Sequence, residues 1–299
     1  MQFKRIKRAI SGVLLLDKPY GVSSNTALQH ARHLFQAEKA GHTGNLDPMA
    51  TGLLPVCFGE ATKFSQTLLD ADKAYRASIK FGITTETGDA EGAVLTTRPV
   101  FISREQLDQV LRSLTGSILQ IPPMYSALKH QGKALYTYAR AGVEIERQAR
   151  EVSIFQLDVE RFSGDELDVH VRCSKGTYIR VLAEDIGNAL GCGAHLQGLR
   201  RTVTGGFALE GAVTLDQLEN MAMEARDACL LPTDCLLANL DKVDLDADSA
   251  FYLQRGQSVW LAKQGTKGQV RLYGPGGVFI GLGETTSDGK IAPKRLVNV

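Results

Sequence analysis

Two stretches of this chain alternate apolar and polar residues with a period of two. In Lys73–Phe81, residues Tyr75, Ala77, Ile79 and Phe81 share one face; in Leu167–Cys173, residues Leu167, Val169, Val171 and Cys173 do, with Asp168, His170 and Arg172 opposite. Strands of that pattern cover a core on one side, as in antiparallel sheets. Gly12–Leu16 is apolar throughout and reads as a buried strand running into the turn Lys18-Pro19-Tyr20-Gly21. Glu151–Leu157 reads as another strand. Helices are marked by their ends. Ser24 or Asn25 caps one reaching about Phe35, and Ser103 with Gln106 boxes one through Leu107, Val110, Leu111 and Leu114. A third runs from Tyr178 to Leu190 and stops at Gly191, and Thr214 with Gln217 caps a short fourth. Past Asp241 come Gly-rich turns and short strands, Val270–Tyr273, Val278–Leu282 and Arg295–Val297. The expected fold is α+β: a mixed, largely antiparallel sheet flanked by helices, with a small C-terminal β-rich domain. Residues 1–245 form the large domain, with an irregular Tyr-, Lys- and Arg-rich insertion over about 124–150, and residues 246–299 the small one.

Charge and cysteine usage exclude several classes. The net charge is +1 over 299 residues, so the chain is no generic polyanion binder. The charge is uneven, however. The first forty residues are basic, as is the tail, where Arg255, Lys263, Lys267, Arg271, Lys290, Lys294 and Arg295 outnumber Glu284 and Asp288. Such ends either bracket a nucleic acid or are solvated faces. Five cysteines without a C-x-x-C pair suit a reducing compartment. Cys192 and His195 alone are too few ligands for a metal site. Lys4, Arg5, Lys7 and Arg8 before Ile10–Leu16 look briefly like a signal peptide, but the apolar run is short and ends at Asp17-Lys18-Pro19. No segment approaches the roughly 20 apolar residues of a membrane span. A cytoplasmic protein with no membrane contact is expected.

The segment Gly41-His42-Thr43-Gly44-Asn45-Leu46-Asp47-Pro48-Met49-Ala50-Thr51-Gly52 carries the chemistry. Its glycines permit unusual backbone angles and close approach. Asp47 precedes a proline, which holds its backbone extended. A carboxylate on a stiffened loop is how a nucleophile or base would be displayed. It is equally how an Asx turn would cap backbone N–H groups.

This segment closely resembles the catalytic motif of TruB-type tRNA pseudouridine synthases, and four further blocks match in order. They are Gly12-Val13-Leu14-Leu15-Leu16-Asp17-Lys18-Pro19 with Ser23-Ser24-Asn25; Lys73-Ala74-Tyr75-Arg76; Pro123-Met124-Tyr125-Ser126-Ala127-Leu128-Lys129; and Cys173-Ser174-Lys175-Gly176-Thr177-Tyr178-Ile179-Arg180. Leu199-Arg200-Arg201 stands where the family has L-R-R, and Gly277–Gly281 through Lys294-Arg295 resembles a PUA-type RNA-binding domain. The resemblance implies the pseudouridine synthase fold and isomerisation of a uridine in the T-loop of tRNA, at position 55, with a further part in tRNA folding. That reaction breaks N1–C1′, turns the uracil over and joins C5 to C1′. It needs no redox cofactor, nucleotide or metal. By the same resemblance Asp47 is the catalytic carboxylate and Arg180 its partner, holding it ionised. Tyr75 lies against the extruded uracil and carries a phenol able to move a proton, and Tyr178 and Leu199 wall the pocket. His42 fills space left by RNA bases, Asp89 hydrogen-bonds the uracil edge, and Lys18 joins in substrate binding. The partner is the T arm of tRNA, met by a monomer with no obligate protein partner. The 124–150 excursion would close over the RNA, and the tail would supply backbone contacts.

Two other classes compete. An RNA-binding protein without chemistry has no need of the Asp47 loop. A glycosidic-bond hydrolase needs two flanking acids, and Asp47 has no partner acid evident in the sequence.

Overall fold

The computed structural model describes residues 7–260 and 268–298. Lys4 and Arg5 of the N-terminal basic run, and Lys263 and Lys267 of the tail, lie outside them.

The body is built on a ten-stranded sheet. Its strands are β1 (Gly12–Lys18), β2 (Ala40–His42), β3 (Thr51–Phe58), β4 (Lys73–Phe81), β5 (Gly116–Gln120), β6 (Arg150–Ser163), β7 (Glu166–Cys173), β8 (Ala194–Thr204), β9 (Phe207–Ala208) and β10 (Val213–Thr214). The order is β10-β1-β3-β8-β4-β7-β6-β5, with β2 beside β3 and β9 beside β8. Pairing is parallel for β1–β10 and β3–β8 and antiparallel elsewhere. The fold is thus the expected mixed, largely antiparallel α+β sheet.

Alternation sends Tyr75, Ala77, Ile79 and Phe81 of β4 and Val169 and Val171 of β7 into one core. Helices α1 (Ser24–Leu34), α2 (Arg104–Ser113) and α3 (Ile179–Ala189) cover it with Ala27, Leu107, Leu182 and Ile186 among others. Strand β1 is buried on both faces, as its unbroken apolar run predicts: Leu14 and Leu16 join this core, Val13 and Leu15 a second one. Ser103 and Thr214 form both capping boxes as expected. The cap of α1 is Ser23, not Ser24 or Asn25. Ser24 is fully buried and its hydroxyl instead accepts from Leu46 N–H at 2.7 Å and donates to Leu46 C=O at 3.0 Å, tying α1 to the Asp47 loop.

The tail forms a five-stranded sheet of β11 (Asp241–Asp244), β12 (Val259–Trp260), β13 (Gln269–Tyr273), β14 (Phe279–Thr285) and β15 (Lys290–Leu296). It has its own core around Val243, Leu253, Val270, Leu272 and Ile280. It is also welded to the body: Leu282, Phe279 and Val297 pack with Val13, Leu15, Leu53 and Phe64. The motif-free stretch 210–248 supplies the mortar, with Leu236 and Leu237 in that shared core and Asp234 accepting from the Tyr273 phenol at 2.5 Å. Much of the tail's positive charge is spent internally. Lys294 pairs with Glu284 and Lys290 with Asp288, each at 3.0 Å, while Arg295 donates to Lys63 C=O.

Strand β8 runs between β3 and β4, where Arg201 lies opposite Gly52 on one side and Tyr75 on the other. Gly52 has φ +99°, and a Cβ there would stand 2.3 Å from Arg201 C=O. Gly164, in the β6–β7 turn, also has positive φ (+63°) but faces open space. Gly164→Ala is expected to cost about 1–2 kcal/mol of left-handed strain. Gly52→Ala adds an overlap with backbone that cannot swing aside, and should cost about 1–3 kcal/mol more. Urea denaturation of both variants checks this; equal losses would contradict the close approach.

Candidate active site

The Asp47 loop joins β2 to β3 and is pinned on both sides of the carboxylate. Before it, Leu46 is held by Ser24. After it, Pro48 C=O accepts from Gly21 N–H at 2.8 Å and from Lys18 Nζ at 3.3 Å. Among the described residues no backbone N–H donates to the Asp47 carboxylate; its partner is Arg180, Nη2 to Oδ2 at 3.3 Å. The capping alternative is therefore not realised, and the loop presents its acid outward.

Arg180 sits in the first turn of α3, where a cation meets the positive end of the helix dipole. Carboxylates on both sides offset that. Besides Asp47, Asp89 Oδ2 stands 3.3 Å from Nη1, and the guanidinium also donates to Thr87 C=O at 3.1 Å and Tyr125 C=O at 2.6 Å. Only 7 % of the Arg180 side chain is exposed. One guanidinium thus ties together the Asp47 loop, the 87–92 turn and the 124–150 insertion.

Asp47 opens into a pocket of about 250 Å³, walled by Tyr75, Ser126, Tyr178, Arg180, Leu199 and Arg201. Tyr178 precedes α3, and its backbone is clamped by the Gln120 side chain, which accepts from Tyr178 N–H at 3.0 Å and donates to its C=O at 3.3 Å. Leu199 reaches the wall from β8, whose register slips after Leu196 and again after Arg201 re-aim its side chains. Five expected residues, Asp47, Tyr75, Tyr178, Arg180 and Leu199, are thus brought together from four parts of the chain.

The other three lie behind the wall. Lys18, expected to bind substrate, is fully buried and donates to Pro19, Val22 and Pro48 C=O at 2.8, 2.7 and 3.3 Å. Its ammonium is consumed in bracing the loop, and burial pushes its pKa down to about 8. Asp89, expected at the uracil edge, is 3 % exposed; its carboxylate is taken up by Arg180, the Thr87 hydroxyl and Glu91 N–H. It positions Arg180. His42, at the end of β2, does not line the pocket; burial and nearby Arg201 lower its pKa, and its Nδ1 has no hydrogen-bond partner.

Arg201 is the residue to which the sequence assigned no part. It is 1 % exposed, and among the described residues no carboxylate lies within ion-pair distance. Its Nε donates to Leu53 C=O at 2.7 Å and its Nη2 to Gly44 C=O at 3.4 Å, bracing the Asp47 loop from below. It also stands beside the Tyr75 phenol, whose pKa burial raises and this guanidinium lowers. Its one signal in the sequence was its place in the block Leu199-Arg200-Arg201.

Arg180 favours the ionised form of Asp47, as expected of its partner, but burial opposes it. Burial is the larger influence and raises its pKa, Arg180 lowers it, Asp89 raises it and Lys18 lowers it, for a net upward shift. The acid keeps 37 % of its side chain exposed, so water at the pocket mouth still reaches it. No group of three or more metal-ligating side chains occurs among the described residues, and no helix there is long and apolar enough to cross a membrane.

Three family models match in succession. Residues 32–179 match the N-terminal domain of TruB family pseudouridylate synthases, residues 180–238 the tRNA pseudouridylate synthase B C-terminal domain, and residues 242–297 the C-terminal region of pseudouridine synthase II TruB. The chain is 59 % identical over 297 residues to tRNA pseudouridine synthase B of Methylobacillus flagellatus, covering 99 % of this chain and 98 % of that one. It is 55 % identical to the protein of the same name from Aromatoleum aromaticum, over 99 % and 96 %. Among solved structures it is similar to a chain of the archaeal box H/ACA sRNP Nop10-Cbf5 complex, with TM-score 0.70 and 23 % identity over 95 % of this chain and 85 % of that one. That likeness is one of fold.

An Asp47 carboxyl governed by burial should titrate above the ordinary aspartate value of about 3.9. Asp89→Asn removes a repelling charge and should move it down. Carbon-detected NMR of aspartate-labelled protein, assigned with Asp47→Asn, measures this. Titration at or below the ordinary value would overturn the assignment of burial as the dominant influence.

Proposed function

The chain belongs to the TruB family of pseudouridylate synthases, and from that premise we propose that it converts the T-loop uridine at position 55 of tRNA into pseudouridine. The observation that carries the proposal is one carboxylate, Asp47, open to a pocket walled by Tyr75, Tyr178 and Leu199 and backed by Arg180. The pocket is smaller than the ~300–1,000 Å³ that holds a drug-sized ligand, which suits one nucleoside turned out of its stack.

The chemistry asks little else of the protein. The N1–C1′ bond breaks, C5–C1′ forms, a proton leaves C5 and one arrives at N1, with no net change in atoms or electrons. Asp47, as nucleophile or as base, acts in its ionised form. Arg180 aims it, and its other contacts to Thr87 and Tyr125 fix the guanidinium. Tyr75 faces the ring and, beside Arg201, offers a phenol for proton movement. A glycosidase would need a second acid at the bond; the nearest, Asp89, is buried and committed to Arg180. The tail and the 124–150 insertion supply the RNA-binding surface, acting in a cytoplasmic monomer.

An unmodified tRNA transcript incubated with the protein should yield one pseudouridine per molecule on nucleoside analysis, and none when the T-loop uridine is replaced by cytidine. Because the carboxylate must be ionised and its pKa is raised, the rate should fall on acidification from a pH above the range of an ordinary aspartate. Pseudouridine formed equally in both transcripts would refute the T-loop assignment. No pseudouridine in either would refute the activity.

A further inference from the structure

Ser126 lies in Pro123–Lys129, a block of family likeness whose side chains the mechanism above leaves unused. It lines the pocket with Asp47 and Tyr75 and is 5 % exposed. Its backbone is fixed, the N–H donating to Met124 C=O at 2.9 Å and the C=O accepting from Tyr136 N–H at 3.1 Å. Its hydroxyl is buried without a hydrogen-bond partner. The Tyr178 phenol stands near it, but no bond of normal length and angle joins the two. A buried hydroxyl left unpaired is costly, and such groups recur where a ligand supplies the missing partner.

We infer that the Ser126 hydroxyl is a substrate-contacting group that donates a hydrogen bond to a carbonyl of the uracil ring in the pocket. This rests on the uridine reading above. Uracil presents C2=O, N3–H and C4=O in a row. Exchanging N1 for C5 at C1′ amounts to turning the ring about the axis through N3 and C6, which brings C4=O to the place of C2=O. One fixed donor therefore meets a carbonyl both before and after the turn. Ser126 is also next in the chain to Tyr125, whose C=O holds Arg180. Filling the pocket thereby engages the same segment that braces the catalytic pair.

The test uses the full chain and tRNA transcripts carrying uridine, 2-thiouridine or 4-thiouridine at the target, sulfur being a poor acceptor. Single-turnover rates at saturating RNA and tRNA affinities are measured for the native protein, Ser126→Ala, Ser126→Thr, Tyr178→Phe and the Ala/Phe double variant. Ser126→Ala should be slowed about tenfold on uridine with affinity changed less than about twofold. Ser126→Thr, which keeps the hydroxyl, should recover most of the rate. The penalty for sulfur should shrink in Ser126→Ala, which has no donor left to disappoint. The inference is overturned by a native rate in Ser126→Ala, by an undiminished sulfur penalty there, or by a loss seen in affinity alone. It is equally overturned if Tyr178→Phe reproduces the loss and the double variant adds nothing, since the hydroxyl would then serve only the phenol. A native protein that makes no pseudouridine fails the uridine reading and this inference together, whereas an active native protein matched by Ser126→Ala fails this inference alone.

Discussion

Strand β8 can lie between β3 and β4 only because Gly52 has no side chain. Its backbone passes where a Cβ would be 2.3 Å from Arg201 C=O. That passage sets the positions of the pocket residues. It places Leu199 over Ala77 and Arg201 beside Tyr75 in register, so one strand furnishes a wall, a brace and a neighbour for the phenol. It also brings the Arg201 guanidinium under Gly44, so the loop bearing Asp47 rests on the same strand. Buried arginine is expensive unless its donors are used, and here carbonyls of Leu53 and Gly44 take them in place of an acid. An acid at that point would have competed with Asp47 for the local field.

The second organising feature is the sharing of Arg180. A single carboxylate paired with a buried arginine in isolation would be driven well into its charged form. Here the guanidinium is divided between two carboxylates and two carbonyls, and Asp47 is left in surroundings where burial prevails. The result is an acid held in place by a guanidinium it shares with Asp89, in surroundings that oppose its ionisation. The cost is carried by the residues behind it, Asp89, Lys18 and Ser24, none of which need touch RNA.

How much of this was legible in the sequence follows from what each residue's neighbours reveal. Asp47 stood out because proline and three glycines surround it, and Tyr75 because β4 alternates without interruption. Strand β8, the centre of the site, was not recognised as a strand. Gly198, two register slips and the adjacent charges of Arg200 and Arg201 erase its alternation. Strand β3 was hidden likewise, its apolar run being continuous with the glycine-rich loop. Lys18, after a buried strand and before Pro19, has the local pattern of an exposed turn; its burial depends on Pro48, thirty residues away, folding back over it. The opposing influence of burial on Asp47 was not legible for the same reason, since pairing with an arginine can be guessed from motifs whereas desolvation belongs to the assembled pocket. The tail read as a basic module, yet Lys290 and Lys294 pair with its own acids and its apolar edge is part of the body's second core.

The central claim is that the ionised Asp47 carboxylate performs the chemistry while the frame around it provides binding and shape. Asp47→Asn preserves the side chain's size and leaves Ser24, Lys18 and Arg201 in place to hold the loop. Single-turnover pseudouridine formation, tRNA affinity and thermal stability should be measured together on this variant. The account predicts no detectable product, affinity within about threefold of native (about 0.7 kcal/mol) and an undiminished melting temperature. Pseudouridine formed at a native-like rate by the pure variant would contradict it.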